Sequence, residues 1–257
     1  MLTPPEIARS LLAAGESKAR LPFGKMLLLA ILAGAYIALA GVGATAAAVT
    51  VESGSLAKLL SACVFPAGLS MVILAGSELF TGNCLMVMAL LERRITPAQL
   101  LRNWLTVYLG NAVGSAAVAA LAVYSHTASL FGDGLARSMV SIAESKAALG
   151  FGDAFLRGVL CNFLVCLAVW MAAASKRAEG KVIALFFPIL LFVLCGYEHC
   201  IANLYYLPAG AFAAAEYGME TTLTLAGCLK NLAALTLGNL VGGAALGVGY
   251  RFAYLKE

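Results

Sequence analysis

Two apolar runs in the chain, residues 55–91 and 182–212, are too long to be single straight bilayer-spanning helices. At 1.5 Å per residue the first would extend roughly 55 Å as one helix, against a hydrocarbon core of about 30 Å. Each run must therefore break, and each carries glycine and polar side chains where it can do so. The first break is Gly76-Ser77-Glu78-Leu79-Phe80-Thr81-Gly82-Asn83, and the second is Gly196-Tyr197-Glu198-His199-Cys200-Ile201-Ala202-Asn203, with Pro208 as a further interruption. Non-helical backbone at bilayer depth survives only where protein buries it or where it lines a wet cavity. Ionisable residues at that depth, here Glu198 and His199, mark a pathway or relay.

The rest of the chain fits a membrane bundle. With 62% hydrophobic and 12% charged side chains, it departs far from the roughly 45–50% and 25% of soluble domains. The formal charge of +4 comes from short basic clusters between apolar runs rather than a basic stripe, which argues against nucleic acid as a partner. Residues 1–25 lack the apolar core and small-residue cleavage site of a signal peptide, so insertion is expected to use the spans themselves. Thr3-Pro4-Pro5 followed by Ile7, Leu11, Leu12 and Ala14 predicts a short amphipathic helix lying on the membrane surface. Six spans follow, at about 26–50, 55–91, 103–124, 154–174, 182–212 and 222–250, with a polar connection at 126–153.

Loop charges orient these spans. One side collects Arg9, Lys18, Arg20 and Lys25, then Arg93, Arg94 and Arg102, then Lys176, Arg177 and Lys181, and last Arg251 and Lys256. The other side keeps Lys58, Arg137, Lys146 and Arg157, with Lys230 able to snorkel outward. The positive-inside rule then places both termini in the cytoplasm. The seven cysteines (Cys63, Cys84, Cys161, Cys166, Cys195, Cys200 and Cys228) all lie in apolar segments, without a Cys-x-x-Cys pair or a histidine cluster. They read as small hydrophobes in helix packing, and neither disulfides, a metal site nor a cofactor is expected.

The two breaks are copies of one another. Gly76-x-Glu78-x-x-x-Gly82-Asn83 aligns without gaps with Gly196-x-Glu198-x-x-x-Ala202-Asn203, at an offset of 120 residues. Leu109-Gly110-Asn111-x-Val113-Gly114 matches Leu237-Gly238-Asn239-x-Val241-Gly242 at an offset of 128. Three spans per unit, about 26–125 and 154–250, require the second copy to insert upside down, and paired interrupted helices in such repeats point to a transport site near the midplane. Half-helices are expected to begin near Thr81 and Ile201, with free N–H groups and positive dipole ends that favour an anion. Glu78 and Glu198 are expected to cap backbone N–H groups at the breaks, with Asn83, Asn203, Asn111 and Asn239 as further structural residues there. His199 aligns with Leu79, so the repeat does not account for it.

Three segments, Ala75 through Gly82, Gly158-Val159-Leu160-Cys161-Asn162-Phe163-Leu164-Val165-Cys166, and Gly196 through Asn203, closely resemble the signatures of the formate/nitrite transporter family. The resemblance implies an all-α polytopic membrane protein of aquaporin-like protomers assembled as pentamers, with residues 26–257 as one channel domain after a cytoplasmic N-terminal helix. It implies the cytoplasmic (inner) membrane of a bacterium or archaeon, and small monovalent anions of weak acids as solutes: nitrite or formate, with hydrosulfide sharing much of the pattern. By position, His199 resembles the single pore histidine, Thr81 the threonine facing it, Asn162 the asparagine that holds the imidazole, and Lys146 a lysine on the outer approach. Phe65, Leu69, Leu79, Phe80, Val165 and Phe192 resemble the apolar residues of two constrictions. A bare anion is costly to desolvate in such constrictions and a neutral acid is not. A proton supplied through His199 and pore water fits that need, since an unperturbed imidazole titrates near about 6.5.

Three rival readings lack their sequence marks. An aquaporin-type facilitator of neutral solutes needs paired Asn-Pro-Ala motifs, which the chain does not contain. An ammonium channel usually carries two facing pore histidines, whereas His126, the other histidine here, falls in a predicted outer loop. An intramembrane enzyme built on Glu198 and His199 has no nucleophile or metal cluster beside them.

Overall fold

A computed structural model describes residues 1–255; Lys256, counted above among the cytoplasmic charges, lies outside them. Helix α1 (Pro4–Ala19) is followed by α2 (Phe23–Ala48), α3 (Gly54–Val64), α4 (Pro66–Ala75), the short α5 (Phe80–Asn83), a 3₁₀ turn over Cys84–Met86 and α6 (Val87–Leu91). Then come α7 (Pro97–Tyr124), α8 (Gly134–Ala147), α9 (Phe151–Ala173), α10 (Ala178–Leu194), α11 (Cys200–Glu216) and α12 (Leu225–Tyr254). Among the described residues five helical stretches are long and apolar enough to cross a membrane, with α3 and α4 counted as one. The fifth expected span, 182–212, is divided between α10 and α11, each of 17 residues.

Long contacts pair α2 with α7 and α9 with α12. Small residues make them possible: a Cβ added at Gly114 would meet the Ile31 carbonyl on α2, and one at Gly242 the Val159 carbonyl on α9. Backbones approach this closely in lipid only where side chains are absent. Each broken helix stops at a glycine in the left-handed region, Gly76 at φ 79° and Gly196 at φ 69°. There the following N–H, of Ser77 or Tyr197, turns back to the carbonyl of Val72 or Phe192. This is a Schellman-type stop that only glycine adopts without strain.

Three expectations change. Residues 126–153 are more than a polar connection: α8 occupies their centre, because Leu135, Ala136, Met139, Val140, Ala143 and Ala147 recur at helical spacing and are buried, largely against α11. Pro208 does not interrupt α11, whose next turns, Ala209, Gly210 and Ala213, pack tightly enough that a Cβ on Gly210 would meet Ala143. Helix α1 docks on protein, burying Ile7, Ala8, Gly15 and Ala19 beside Met86, Met88, Ala89 and Trp170. Leu2 and the end of α12 share that face, since the Leu2 N–H donates to the Ala174 carbonyl at 2.8 Å and Leu2 packs with Tyr254 around Trp170.

The duplication also reaches further upstream than the spans. Glu16-Ser17-Lys18-Ala19-x-Leu21-x-Phe23-Gly24 recurs as Glu144-Ser145-Lys146-Ala147-x-Leu149-x-Phe151-Gly152, again offset by 128. Helices α1 and α8 are therefore counterparts on opposite faces of the bundle.

Candidate functional site at the crossing of the broken helices

The breaks are held by matching hydrogen bonds. Asn111 Oδ1 accepts the Phe80 N–H at 3.0 Å, and Asn239 Oδ1 accepts the Cys200 N–H at 2.8 Å, so each asparagine caps the first N–H of a half-helix. Asn111 Nδ2 donates to the carbonyls of Ala30 (2.7 Å) and Glu78 (2.9 Å), and Asn239 Nδ2 to those of Gly158 (2.8 Å) and Glu198 (3.1 Å). The expected caps, Glu78 and Glu198, point elsewhere. Glu78 accepts from Lys18 Nζ at 2.6 Å and Asn83 Nδ2 at 2.7 Å. Glu198 accepts from Lys146 Nζ at 2.7 and 2.9 Å and from Asn203 Nδ2 at 2.9 Å. Asn83 and Asn203 each donate onward at 2.9 Å, to Asn103 Oδ1 and Asn231 Oδ1. Buried carboxylates take charged partners in preference to single amides because desolvation is otherwise uncompensated.

Between the two networks the symmetry ends. His199 is the N-cap of α11, and its Nδ1 accepts the Ala202 N–H at 3.1 Å. With Nδ1 an acceptor, the neutral ring carries its proton on Nε2. That nitrogen lies 2.8 Å from Thr81 Oγ1, in the second residue of α5. Both residues are buried, and the bond joins half-helices from opposite repeats. Asn162 does not hold the imidazole. Its Nδ2 donates to the backbone carbonyls of Asn239 (2.6 Å) and Thr81 (3.3 Å), so it positions the threonine that the ring bonds.

Two cavities approach this crossing from opposite faces. One of about 460 Å³ on the α8 face is lined by Lys58, Lys146, Arg157, Glu198 and His199, with Phe65 and Phe192 meeting edge to face at 5.7 Å between ring centroids. One of about 290 Å³ on the α1 face is lined by Lys18, Glu78, Leu69 and Leu79. Phe65 and Phe192 thus belong to one approach, and Leu69 and Leu79 to the other. Phe80 and Val165 line neither cavity. The Phe80 ring packs on α7 against Tyr108 (5.1 Å) and Trp104 (6.4 Å), while Val165 is buried in the shared core. Lys146 lines its cavity but is bidentate on Glu198 and stacks over Tyr206 at 5.0 Å, so it is not an unpaired cation. Ser77 Oγ and Asn203 Oδ1 are buried without a hydrogen-bond partner among the described residues, one at the wall of each cavity.

Sequence reading missed Lys18, Asn103 and Asn231. The nine-residue match at offset 128 contains Lys18, and Asn103 and Asn231 stand at the same offset, each just after a basic residue. Lys58, Arg157 and Tyr206 line the α8-face cavity with no repeat signal to mark them. Among the described residues no group of His, Cys, Asp and Glu has the grouping of a metal site.

Inverted three-span units whose broken helices meet between two opposed cavities define a membrane channel of the aquaporin-like kind. The chain belongs to the formate/nitrite transporter family, whose family model, described as "Formate/nitrite transporter", matches residues 5–253. It is 38% identical to a probable formate transporter of Methanothermobacter thermautotrophicus, over 99% of this chain and 98% of the relative. Among solved structures, it resembles an FNT family ion channel with a TM-score of 0.87 at 31% identity, covering 96% of this chain and 98% of the other. It also resembles a pentameric formate channel with formate bound, with a TM-score of 0.81 at 33% identity, covering 91% and 98%.

Proposed function

We propose that the protein is a homopentameric channel for small monovalent anions of weak acids, formate or nitrite first and hydrosulfide also, each protomer carrying its own pore. The observation that carries this reading is the Thr81–His199 hydrogen bond of 2.8 Å, which lies between the two cavities. A solute crossing between them passes the Phe65–Phe192 pair on one side and Leu69 with Leu79 on the other. Stripping water from an ion there is costly, and neutralising it removes most of the cost. The Nε2 proton, shared with Thr81, is the protein proton placed to polarise pore water or the solute itself. Asn162 and Asn239 keep the two half-helices in the register that this bond needs.

In this reading the α1 face is cytoplasmic in an inner membrane of a bacterium or archaeon. The basic clusters around Arg9–Lys25, Arg93–Arg102 and Lys176–Lys181 support that orientation. The likeness to a pentameric channel of formate supports the assembly and the solute class. The test is flux of formate and nitrite into proteoliposomes across a pH series. Wild type carries both anions faster as pH falls, and His199→Phe and Thr81→Ala lower that flux and flatten its pH dependence. Unchanged flux and pH dependence in both variants overturns the relay.

A further inference from the structure

The two cavities differ in charge. On the α1 face the lysine and carboxylate, Lys18 and Glu78, are paired and balance. On the α8 face three cations, Lys58, Lys146 and Arg157, stand against the single carboxylate Glu198. Lys146 is committed to that carboxylate at 2.7 Å. Neither Lys58 on α3 nor Arg157 on α9 makes a side-chain ion pair among the described residues, and Lys58 lies within coulombic reach of Lys146, Arg157 and Glu198. Ser138, Ser141 and Ser145, one face of α8 at helical spacing, line the same cavity, with the Ser145 hydroxyl donating to the Ser141 carbonyl at 2.9 Å.

The duplication shows that this excess is not part of the shared framework. The carbonyl of Arg157 accepts the Glu198 N–H as the carbonyl of Leu29 accepts the Glu78 N–H, so both positions serve the breaks through backbone alone. The guanidinium has only a leucine side chain as its counterpart. A cation kept at one mouth and absent from the other, at a position whose structural work needs no side chain, acts on what enters that mouth.

We propose that Lys58 and Arg157 form an anion-collecting site in the α8-face cavity, with Ser138 and Ser141 of α8 supplying hydroxyl donors, and that the α1 face has no equivalent. This rests on the reading of the protein as a weak-acid anion channel. Two unbalanced cations in a low-dielectric funnel concentrate small anions and speed their capture, and salt screens that attraction over about 8–10 Å. Half-saturation by formate is therefore lower from the α8 face than from the α1 face, and it rises with ionic strength on the α8 face far more than on the other.

The experiment measures formate flux from each side of sealed membranes separately, for wild type, Lys58→Gln/Arg157→Gln and the charge-preserving Lys58→Arg/Arg157→Lys. The expected result is a threefold or larger rise in half-saturation concentration on the α8 face for the neutral pair, loss of its salt dependence, and little change on the α1 face. The charge-preserving pair stays near wild type. A second readout needs no flux: Ser141→Cys, in a Cys63→Ser/Cys195→Ser background, is labelled with an anionic and a cationic methanethiosulfonate. The anionic reagent reacts faster at low salt, and that preference falls severalfold when Lys58 and Arg157 are neutralised. Equal labelling preference with and without the two cations, or an unchanged half-saturation on the α8 face, overturns the site. A wild type that passes neither formate nor nitrite overturns the function instead, and the labelling still decides the site.

Discussion

Asn111 and Asn239, 128 residues apart, make the same three hydrogen bonds, each capping a half-helix N–H while donating to two carbonyls. They are the fixed points about which the two broken helices are set. Replacing either by alanine orphans a buried N–H and withdraws donors from two carbonyls, at roughly 1–3 kcal/mol for each group left unsatisfied. Asn239→Ala and Asn111→Ala are expected to lower the thermal midpoint of the detergent-solubilised oligomer by similar amounts. Asn239→Asp, which keeps the acceptor but turns a carboxylate toward carbonyls, is expected to lower it at least as far.

The two lysine–glutamate pairs differ in exposure, which ranks their coupling. The Lys146 and Glu198 side chains are 15% and 10% exposed, while those of Lys18 and Glu78 are 30% and 7%. Double-mutant cycles with Lys→Met and Glu→Gln are expected to give a coupling energy of about 1–3 kcal/mol for Lys146–Glu198 and a smaller one for Lys18–Glu78. Removing Lys146 alone strands a buried carboxylate, so that single variant is expected to be less stable than the double variant.

Close backbone approach predicts a sharp contrast among glycines of one helix. Gly242→Ala pushes a methyl group into the Val159 carbonyl and is expected to lower the thermal midpoint markedly. Gly249→Ala, also on α12, meets nothing within 4 Å and is expected to stabilise by about 0.4–1 kcal/mol through the unfolded chain. Thermal denaturation of the two variants side by side checks both.

Glu144 ties the end of α8 to the segment before α12. Its Oε1 accepts the Thr222 N–H at 2.7 Å and the Thr221 hydroxyl at 3.0 Å, and these bonds hold its carboxyl below the ordinary carboxylate range. A depressed folded value means that the tether is complete above the usual carboxylate pKa and is lost only as pH falls through the lowered one. Amide exchange at Thr222, corrected for its intrinsic pH dependence, is expected to stay slow through mildly acidic pH and to quicken below it. Glu144→Gln is expected to show the quicker exchange at every pH.

Much of this plan was legible because the repeat is written in side chains that act on backbone. Asn111 and Asn239 stand out from sequence alone, since an amide amid glycine and leucine at bilayer depth needs partners, and both copies keep it. The spans fall within a few residues of their expected bounds for a similar reason: hydropathy and chain rise fix them. Partner choice was not legible. Lys146 lies 52 residues from Glu198, and nothing in that spacing distinguishes a lysine facing solvent from one folded onto a carboxylate. The direction of Phe80 was equally hidden, because α5 lasts four residues before a 3₁₀ turn and has no periodic face. Asn162, read as the residue that holds the imidazole, instead donates to the carbonyls of Thr81 and Asn239, and that choice depends on the close approach of α12 at Gly243.

The N-cap role of His199 limits how protons can travel. A ring that takes a proton at one nitrogen and releases it at the other conducts like a wire, linking the two sides of a membrane without any passenger. With Nδ1 engaged by the Ala202 N–H, the neutral ring holds one proton, on Nε2, and cannot take a proton in at one nitrogen and pass it out at the other. Under the proposed function the ring polarises pore water or the solute through that N–H without surrendering it, which would leave an imidazolate, and a proton that crosses does so on the neutralised solute. The histidine therefore gives bare protons no conduit of its own across the membrane that holds it.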